Sequence, residues 1–422
     1  MSLFNKTIFT GFAPNLTGRD TGLALSYLLL PWRWFKISSG EYIALAEKKL
    51  REYFNIKHAY VFDSGRSALY YALKTLGAGD NDEILLQAYT CVVVVNAIKF
   101  TGAKPIFVDI NDDFNMSPAN LENKITAKTK ILIIQHTFGL PAKLNELLTI
   151  AKRHNLKIIE DCAHSLGARY QGQLTGTFGH IGMLSFGSDK IISCARGGAL
   201  ITNDDEISKN IKSFAQKLPK PKLTKTLQHL MHYPIFYTAK PVYHLFIGKF
   251  ILILAKKLNI FNKIIYKKEK TGEPVNFYPA KLANSLAHIL CEQINEIEQL
   301  NAHRRSISKI YQENLNNLNI NLPWRDNKIN LETSACLRYP LLLKNPTKLL
   351  IYAKKRRIIL GDWYNLAIAP KDIALNKTGY LNDCPKAEFL ASQSVNLPTD
   401  RKIGDKQVAK IIKIINSYAD NH

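Results

Sequence analysis

The chain has 422 residues, 46% hydrophobic and 22% charged, which is ordinary for a globular protein with a substantial core. No apolar run reaches the roughly 18 to 20 residues of a spanning helix, and the six cysteines form no C-x-x-C pair. We therefore expect no metal site, no disulfide framework and a cytoplasmic location. The net charge of +23 predicts attraction to an anion, such as a phosphorylated substrate, nucleic acid or acidic lipid.

Short apolar runs alternate with helix-like stretches between residues 58 and 202. Such runs are apolar on both faces and favour a largely parallel sheet covered by helices on both sides, with ligands at the carboxyl ends of its strands. The predicted helices include 68–76 and 144–154. The predicted strands are 58–62, 84–86, 105–108, 131–134, 158–159, 183–186 and 199–201.

A phosphate site is predicted where the first of these strands ends. Residues 63–65 (Asp-Ser-Gly) form a turn, and a helix follows at Arg66. The free backbone N–H groups and the helix dipole at such a turn favour a phosphate.

Two later strands end in side chains suited to an aldehyde cofactor. Residues 157–161 deliver Asp161 at a carboxyl end, with His164 three residues later. Lys190 follows the strand at 183–186, and its amine can hold an aldehyde as an imine. A phosphate cradle, an acid and a lysine are together the contacts that pyridoxal phosphate needs.

The segment 217–270 is strongly basic, with 12 lysines against the single acid Glu269. Aromatic and aliphatic residues lie between the lysines. A basic amphipathic helix can lie in a membrane interface, and the alternative is a helical insertion that packs on the body. The apolar cluster at 27–36 allows two interpretations as well, an arm over a neighbouring subunit or a second membrane anchor.

The rest of the chain predicts a smaller α/β domain. A long helical pattern covers 280–311, a mixed region includes 349–359, and a last helix covers 406–415. The predicted division is a large domain with an N-terminal arm at 1–216, the basic helical insertion at 217–270, and a small C-terminal domain at 271–422.

Seven motifs in order carry a family resemblance. The chain resembles the DegT/DnrJ/EryC1/StrS aminotransferases, which are mostly sugar-modifying enzymes that depend on pyridoxal phosphate. The resemblance implies the aspartate-aminotransferase type of α/β fold (fold type I). The motifs are 64–69, 102–109, 136–139, 160–165, 176–179, 185–190 and 197–198.

The resemblance also implies roles for three catalytic residues. Lys190 binds the cofactor aldehyde and, as a free amine, moves a proton between the substrate and cofactor carbons. Asp161 pairs with the pyridine nitrogen and keeps it protonated. His164 stands where the family has Gln or His against the phenolic oxygen of the cofactor.

Further cofactor contacts follow from the same resemblance. Asn276 matches an asparagine that reaches the phosphate from the partner subunit, which implies a homodimer with a shared active site. The family's ring-stacking aromatic follows a threonine, but Cys91 follows Thr90 here, so stacking falls to Cys91, to Tyr89 or to neither. The residues implied at the phosphate are Gly65, Arg66, Ser67 and Ser185.

Two departures from the family concern the substrate. Arg196 replaces a glutamate before the paired glycines, and residues 276–278 (Asn-Phe-Tyr) replace N-x-R. A cation in place of an acid changes which charge the site tolerates. These changes are compatible with the cofactor chemistry and argue against the usual nucleotide-sugar acceptor.

The predicted function is amino transfer, with glutamate as donor, to a keto group of a nucleotide- or lipid-linked sugar in surface-polysaccharide or secondary-metabolite biosynthesis. One alternative is a related enzyme that removes a sugar hydroxyl, but its known relatives carry histidine in place of the lysine, and Lys190 argues against it. The other is a non-catalytic regulatory or binding protein of the same fold. No DNA-reading motif appears, so we expect no nucleic-acid partner. A peripheral contact of 217–270 with the inner face of the membrane remains the open alternative for that segment.

Overall fold

The computed structural model describes residues 6–11, 13–260, 262–315 and 319–420; parts of the predicted N-terminal arm (1–5 and 12) and residue 261 of the basic segment lie outside these ranges. The strands are β1 (Ile8–Phe9), β2 (His58–Phe62), β3 (Glu83–Gln87), β4 (Thr90–Cys91), β5 (Lys104–Val108), β6 (Thr129–Gln135), β7 (Lys157–Asp161), β8 (Arg169–Tyr170), β9 (Gln173–Leu174), β10 (Ile181–Ser185), β11 (Gly198–Thr202), β12 (Arg338–Leu342), β13 (Ile358–Ile359), β14 (Ile368–Ala369) and β15 (Ser394–Pro398).

The helices alternate with the strands in the first half of the chain and dominate the second. They are α1 (Gly18–Leu29), α2 (Pro31–Trp34), α3 (Tyr42–Phe54), α4 (Gly65–Thr75), α5 (Val92–Lys99), α6 (Pro118–Lys124), α7 (Leu144–Arg153), α8 (Asp205–Lys217), α9 (Leu223–Ala239), α10 (Ile247–Lys257), α11 (Lys267–Lys270), α12 (Asn284–Ile294), α13 (Ile297–Asn314), α14 (Pro323–Asp326), α15 (Pro346–Lys355), α16 (Pro385–Gln393) and α17 (Asp405–Asp420).

A seven-stranded sheet forms the centre of the fold. Its order is β2-β11-β10-β7-β6-β3-β5, and β11 alone among these strands runs antiparallel to its neighbours. The strands are almost wholly buried, as their continuous apolar runs indicate. All seven predicted strands are confirmed. The carboxyl ends of β7 and β10 lie side by side, because Asp161 pairs with Met183 in the parallel register.

The helical pattern at 280–311 is divided in the structure. Helix α12 ends at Ile294 and α13 begins at Ile297, so the expectation of one long helix is wrong. The hydrogen bond from the Glu296 N–H to the Gln293 carbonyl tightens the chain at the junction, and the Glu296 carboxylate accepts from Arg401 at 2.8 Å. Periodicity alone does not reveal such a break, because buried apolar residues continue at helical spacing through Ile294, Ile297 and Leu300.

The C-terminal region builds small sheets of its own. Strands β12 and β15 pair antiparallel, and β14 adds to β4 next to the central sheet. Strand β1 pairs with β13, which ties the beginning of the chain to this region. The division into three domains stays a prediction.

The basic segment is helical and partly packed on the body. Helix α9 buries Leu230, Tyr233 and Phe236 in the same apolar cluster as Ala24 and Tyr27 of α1. Helix α10 buries only Gly248 and Ala255. Among the described residues, no helix is both long and apolar enough to cross a membrane.

Candidate active site

The start of helix α4 forms the phosphate cradle that the sequence predicts. Ser64 caps the helix by accepting from the Ser67 N–H at 3.3 Å. Gly65 and Arg66 occupy the first helical turn, so their N–H groups have no intrahelical acceptor. A Cβ atom on Gly65 would lie 2.9 Å from the side chain of Ser185, so only glycine lets the helix start approach the end of β10 this closely.

Asp161 ends strand β7 and lines the same cavity. Its side chain is buried, and Oδ1 accepts from the Ala163 N–H at 3.0 Å. Burial raises the pKa of Asp161, and the Ala163 N–H and the positive charge of Lys190 oppose that rise. A protonated ring nitrogen beside Asp161 would therefore stabilise its ionised carboxylate.

Glu160, one residue earlier, has a structural role. Its carboxylate accepts from the backbone N–H groups of Gly176, Phe178 and Gly179 at 2.8, 2.6 and 2.7 Å, and so explains the motif at 176–179. His136 and Cys162 bring donor atoms within 4.8 Å of Glu160. Since both carboxylate oxygens already accept N–H groups, the cluster is explained without a metal ion.

Lys190 lies in the loop between β10 and β11. Its N–H donates to the Gly187 carbonyl at 3.1 Å, and its carbonyl accepts from the side chain of Asn15. The ammonium lies 4.0 Å from Asp189, and the side chain is 13% exposed. The main chain on both sides is thus fixed, and the amine faces the cavity with a weak ion pair.

His164 is a neutral imidazole in a defined orientation. Burial, together with the charges of Lys190 and Arg338, holds its pKa well below the usual value. The Phe138 N–H donates to Nδ1 at 3.4 Å, so the proton is on Nε2, which lies 3.5 Å from the Tyr364 hydroxyl. The Nε2–H group can therefore donate to an oxygen in the cavity.

Most of the predicted cofactor residues share one cavity. Asn276 is exposed and does not line it, so within one chain it makes no contact there. The predicted residues that line the cavity are Gly65, Arg66, Cys91, Asp161, His164, Ser185 and Lys190.

Two residues expected at the cofactor lie behind the cavity surface instead. Ser67 is buried, and its hydroxyl lies 2.8 Å from that of Ser64, so it supports the cap. Tyr89 is fully buried, donates to Ser394 at 3.1 Å and accepts from the Tyr364 N–H at 3.2 Å. Its positive φ of 67° and these two hydrogen bonds fix the ring behind the surface, which leaves Cys91 in the cavity lining.

The outer wall of the cavity consists of residues 262–265 with Trp363 and Tyr364, none of which was predicted from the sequence as a site residue. The two aromatic rings stack at 5.4 Å, and the Tyr364 ring stacks on His164 at 6.0 Å. Both aromatic residues are in the loop between β13 and β14. The adjacent aromatic residues Trp363 and Tyr364 were the signal available in the sequence.

Arg196 lines the cavity beside this wall and is 5% exposed. Its guanidinium carbon lies 5.4, 5.7 and 5.0 Å from the ring centres of Tyr266, Phe277 and Tyr278. Burial and the neighbouring charge of Arg66 lower its pKa. Arg66, in contrast, has a carboxylate partner in Glu269.

The residues present fit pyridoxal phosphate. Free N–H groups and the Ser185 hydroxyl suit the phosphate, and Lys190 suits the aldehyde. Asp161 suits a protonated pyridine nitrogen, and the neutral His164 suits the phenolic oxygen. A Cβ atom at Gly65 would lie 2.9 Å from Oγ of Ser185, one of the groups suited to the phosphate.

The profile of the DegT/DnrJ/EryC1/StrS aminotransferase family matches residues 30–239 and 253–416. The chain belongs to this family. It is 40% identical over 195 residues to the GDP-perosamine synthase of Escherichia coli O157:H7. The matched segment covers 46% of this chain and 52% of that protein. It is 36% identical over 203 residues to the GDP-perosamine synthase of Caulobacter vibrioides, covering 47% and 53%. The chain thus spans about half the length of these curated relatives.

Solved structures confirm the fold over the whole chain. Helicobacter pylori PseC, an aminotransferase involved in the biosynthesis of pseudoaminic acid, superposes with a TM-score of 0.76 and covers 99% of this chain and 100% of its own. Its sequence identity of 20% limits this likeness to the fold. The predicted family, the fold class and pyridoxal phosphate as cofactor are confirmed.

Proposed function

We propose that this protein is an aminotransferase that moves an amino group from glutamate to a keto group of an activated sugar. The observation that carries the proposal is the meeting of Lys190, Asp161 and the α4 cradle in one cavity at the carboxyl ends of β7 and β10. Lysine, rather than the histidine of the hydroxyl-removing relatives, occupies position 190.

Each residue has a defined task in this reaction. When bound, the cofactor supplies a ring that accepts electrons from the substrate carbon. The Lys190 amine takes a proton at one carbon and returns it at another. Asp161 stabilises positive charge at the ring nitrogen, and His164 donates its Nε2–H to the phenolic oxygen. Trp363 and Tyr364 restrict water at the reacting atoms.

The donor half of the reaction can be tested without knowing the acceptor. We expect purified protein loaded with pyridoxal phosphate to be yellow and to lose that absorbance when glutamate is added. After the 2-oxoglutarate product is removed, colour should return with those keto-sugars that are acceptors, so a panel of them identifies the substrate. A protein that binds the cofactor but does not respond to any amino acid would contradict amino transfer.

The active site is proposed to be shared between two subunits. Asn276 is exposed on the segment that precedes α12, where it is free to reach a second copy. Co-expression of Lys190→Ala and Asn276→Ala chains tests this, because one site of the mixed dimer then holds both native residues. Activity that exceeds that of either variant alone supports sharing. No recovery, or a monomer in solution, contradicts it.

We further propose that α10 contacts an anionic membrane surface. Its only buried residues are Gly248 and Ala255, and Lys249, Lys256 and Lys257 flank its apolar face. The spacing of three to four residues places the exposed apolar side chains on one face, and adjacent lysines complement acidic headgroups. The exposed apolar residues in and beside the helix are Phe246, Ile247, Phe250, Ile253, Leu254 and Leu258.

Co-sedimentation with vesicles of neutral and anionic lipid tests this contact. We expect salt-sensitive binding to anionic vesicles that is lost on Phe250→Glu with Ile253→Glu. Ile351→Glu, which changes an equally exposed apolar residue on α15, is the matched control. Equal sedimentation of all three proteins would contradict a membrane role, as would a wild-type dimer that dissociates in the α10 variant, since the face would then be a subunit interface.

A further inference from the structure

Buried polar atoms without a hydrogen-bond partner collect beside the active-site cavity. They are Nε and Nη2 of Arg196, Oδ1 of Asn262 and the hydroxyl of Tyr266. Such atoms are rare in folded proteins, because each loses its water without gaining a partner. Their grouping indicates that a ligand with both acceptor and donor atoms completes this region.

The Asn262 side chain joins these atoms to the cavity lining. Its Nδ2 donates at 3.1 Å to the carbonyl of Ala195, the residue before Arg196. Its Oδ1 has no hydrogen-bond partner. Asn262 and Arg196 both line the cavity. The group thus consists of one cation with two free donors, one hydroxyl and one carbonyl oxygen.

Within the described residues Arg196 forms no ion pair with a carboxylate, although the charges of Glu269 and Asp63 act on it from farther away. Glu269 is already occupied by Arg66, by the Tyr278 hydroxyl and by the Tyr266 N–H at 2.7 Å, and Asp63 accepts from the Ser64 hydroxyl at 3.3 Å. A buried guanidinium without a carboxylate is costly, and a bound anion would offset that cost. The aromatic rings around it offer no hydrogen-bond acceptor, and Nε and Nη2 of the guanidinium stay without a partner.

We propose that Arg196, with Asn262 and Tyr266, binds a phosphate oxyanion of the diphosphate that carries the sugar acceptor. This inference rests on the proposed function. The cofactor phosphate has separate donors in the α4 cradle and Ser185, so the guanidinium remains for a second anion. Asn262 Oδ1 accepts from a hydroxyl of the same ligand. Nucleotide-linked and lipid-linked sugars share this diphosphate chemistry.

Binding of inorganic pyrophosphate to the cofactor-loaded protein tests the inference by calorimetry. We expect Arg196→Gln to weaken pyrophosphate binding about tenfold or more, since a charge-assisted hydrogen-bonding partner is lost. Arg196→Lys keeps the positive charge and should retain part of the pyrophosphate affinity that Arg196→Gln loses. Lys225→Gln is the matched control, since its ammonium lies 4.6 Å from the Phe277 ring centre but outside the cavity lining.

Cofactor content and the response to glutamate are measured on the same samples. Cofactor content should be unchanged in Arg196→Gln, and retained circular dichroism shows that the variant is folded, whereas the glutamate response of the wild type reports on the proposed function. An equal loss of pyridoxal phosphate affinity would overturn the inference, because Arg196 would then serve the cofactor. So would unchanged pyrophosphate affinity, or no pyrophosphate binding by the wild type. A wild type that responds to glutamate in these cases leaves the proposed function intact.

Two classes of larger probe distinguish the source of the diphosphate. Uridine and guanosine diphosphate represent a nucleotide carrier, and farnesyl diphosphate represents a lipid carrier. Tighter binding of one class than of pyrophosphate, lost in Arg196→Gln, supports the inference and names the carrier. Tighter binding that persists in the variant overturns it.

Discussion

The floor of the cavity (Gly65, Asp161, Ser185 and Lys190) and its outer wall (residues 262–265 with Trp363 and Tyr364) are built differently. Gly65, Asp161 and Ser185 lie at a helix start or at strand ends, and Lys190 lies in the loop that follows β10, where hydrogen bonds fix its main chain. Wall residues lie in loops from distant parts of the chain. The comparison indicates that cofactor chemistry belongs to the rigid sheet, whereas substrate choice belongs to the loops.

Hydrogen bonding separates the two regions as well. Around the floor, Asp161 accepts from a backbone N–H, and Gln135 bonds to Thr90 and Thr137. Beside the wall, Arg196 and Asn262 keep free buried polar atoms. The floor is therefore complete except for the cofactor, and changes there should affect chemistry, whereas changes at the wall should affect binding of the second substrate.

Removal of the lysine at the floor should have the largest effect. We expect Lys190→Ala to keep the fold and lose at least about 10²–10⁴-fold in amino transfer, because Lys263, the other lysine among the described lining residues, belongs to the outer wall. Borohydride reduction followed by peptide mass spectrometry should then find no attached cofactor. Lys209→Ala, an exposed lysine on α8, is the control. A reducible adduct that persists in Lys190→Ala would assign the attachment to another residue.

Asp161→Asn should lower the rate by about 10²-fold, since a neutral amide does not keep the ring nitrogen protonated. In the absence of cofactor, the same variant should also change how the stability of the fold depends on pH. Burial raises the folded-state pKa of Asp161 above 3.8, so its contribution to stability is full below that value and declines as pH rises through the folded pKa. Urea unfolding should therefore show that the variant gains stability relative to wild type as pH increases. A pH-independent difference would show that the carboxylate is well solvated.

Gly65→Ala tests the close approach of α4 to β10. The added Cβ would lie 2.9 Å from the Ser185 side chain, so the helix start or the strand end must shift. We expect about 1–3 kcal/mol lower stability and weaker cofactor binding, measured by thermal unfolding and by fluorescence titration. Gly22→Ala, which meets nothing within 4 Å, should be neutral or stabilising. Equal effects of the two substitutions would mean that the cradle tolerates a side chain.

The floor was predictable from sequence, and the wall was not. The runs that end at Asp161 and precede Lys190 have local signals, since apolar strands, turns and helix starts are encoded within a few residues. The contact of Tyr364 with His164 joins positions 200 residues apart. Local patterns carry no information on such pairs, and the same holds for Arg66 with Glu269. Tyr89 was one alternative for ring stacking because it precedes Thr90 in the sequence, but its hydrogen bonds hold the ring behind the cavity surface.

Tyr364→Phe should have the smallest effect, and it tests whether the wall takes part in chemistry. The hydroxyl lies 3.5 Å from His164 Nε2, and the ring is held by stacking on Trp363 and His164, which phenylalanine preserves. Loss of one long hydrogen bond predicts a rate lower by about 2- to 10-fold, with unchanged stability. Tyr170→Phe on β8, outside the cavity, is the control. A loss as large as that of Asp161→Asn would place Tyr364 among the catalytic groups, and the separation between floor and wall would be wrong.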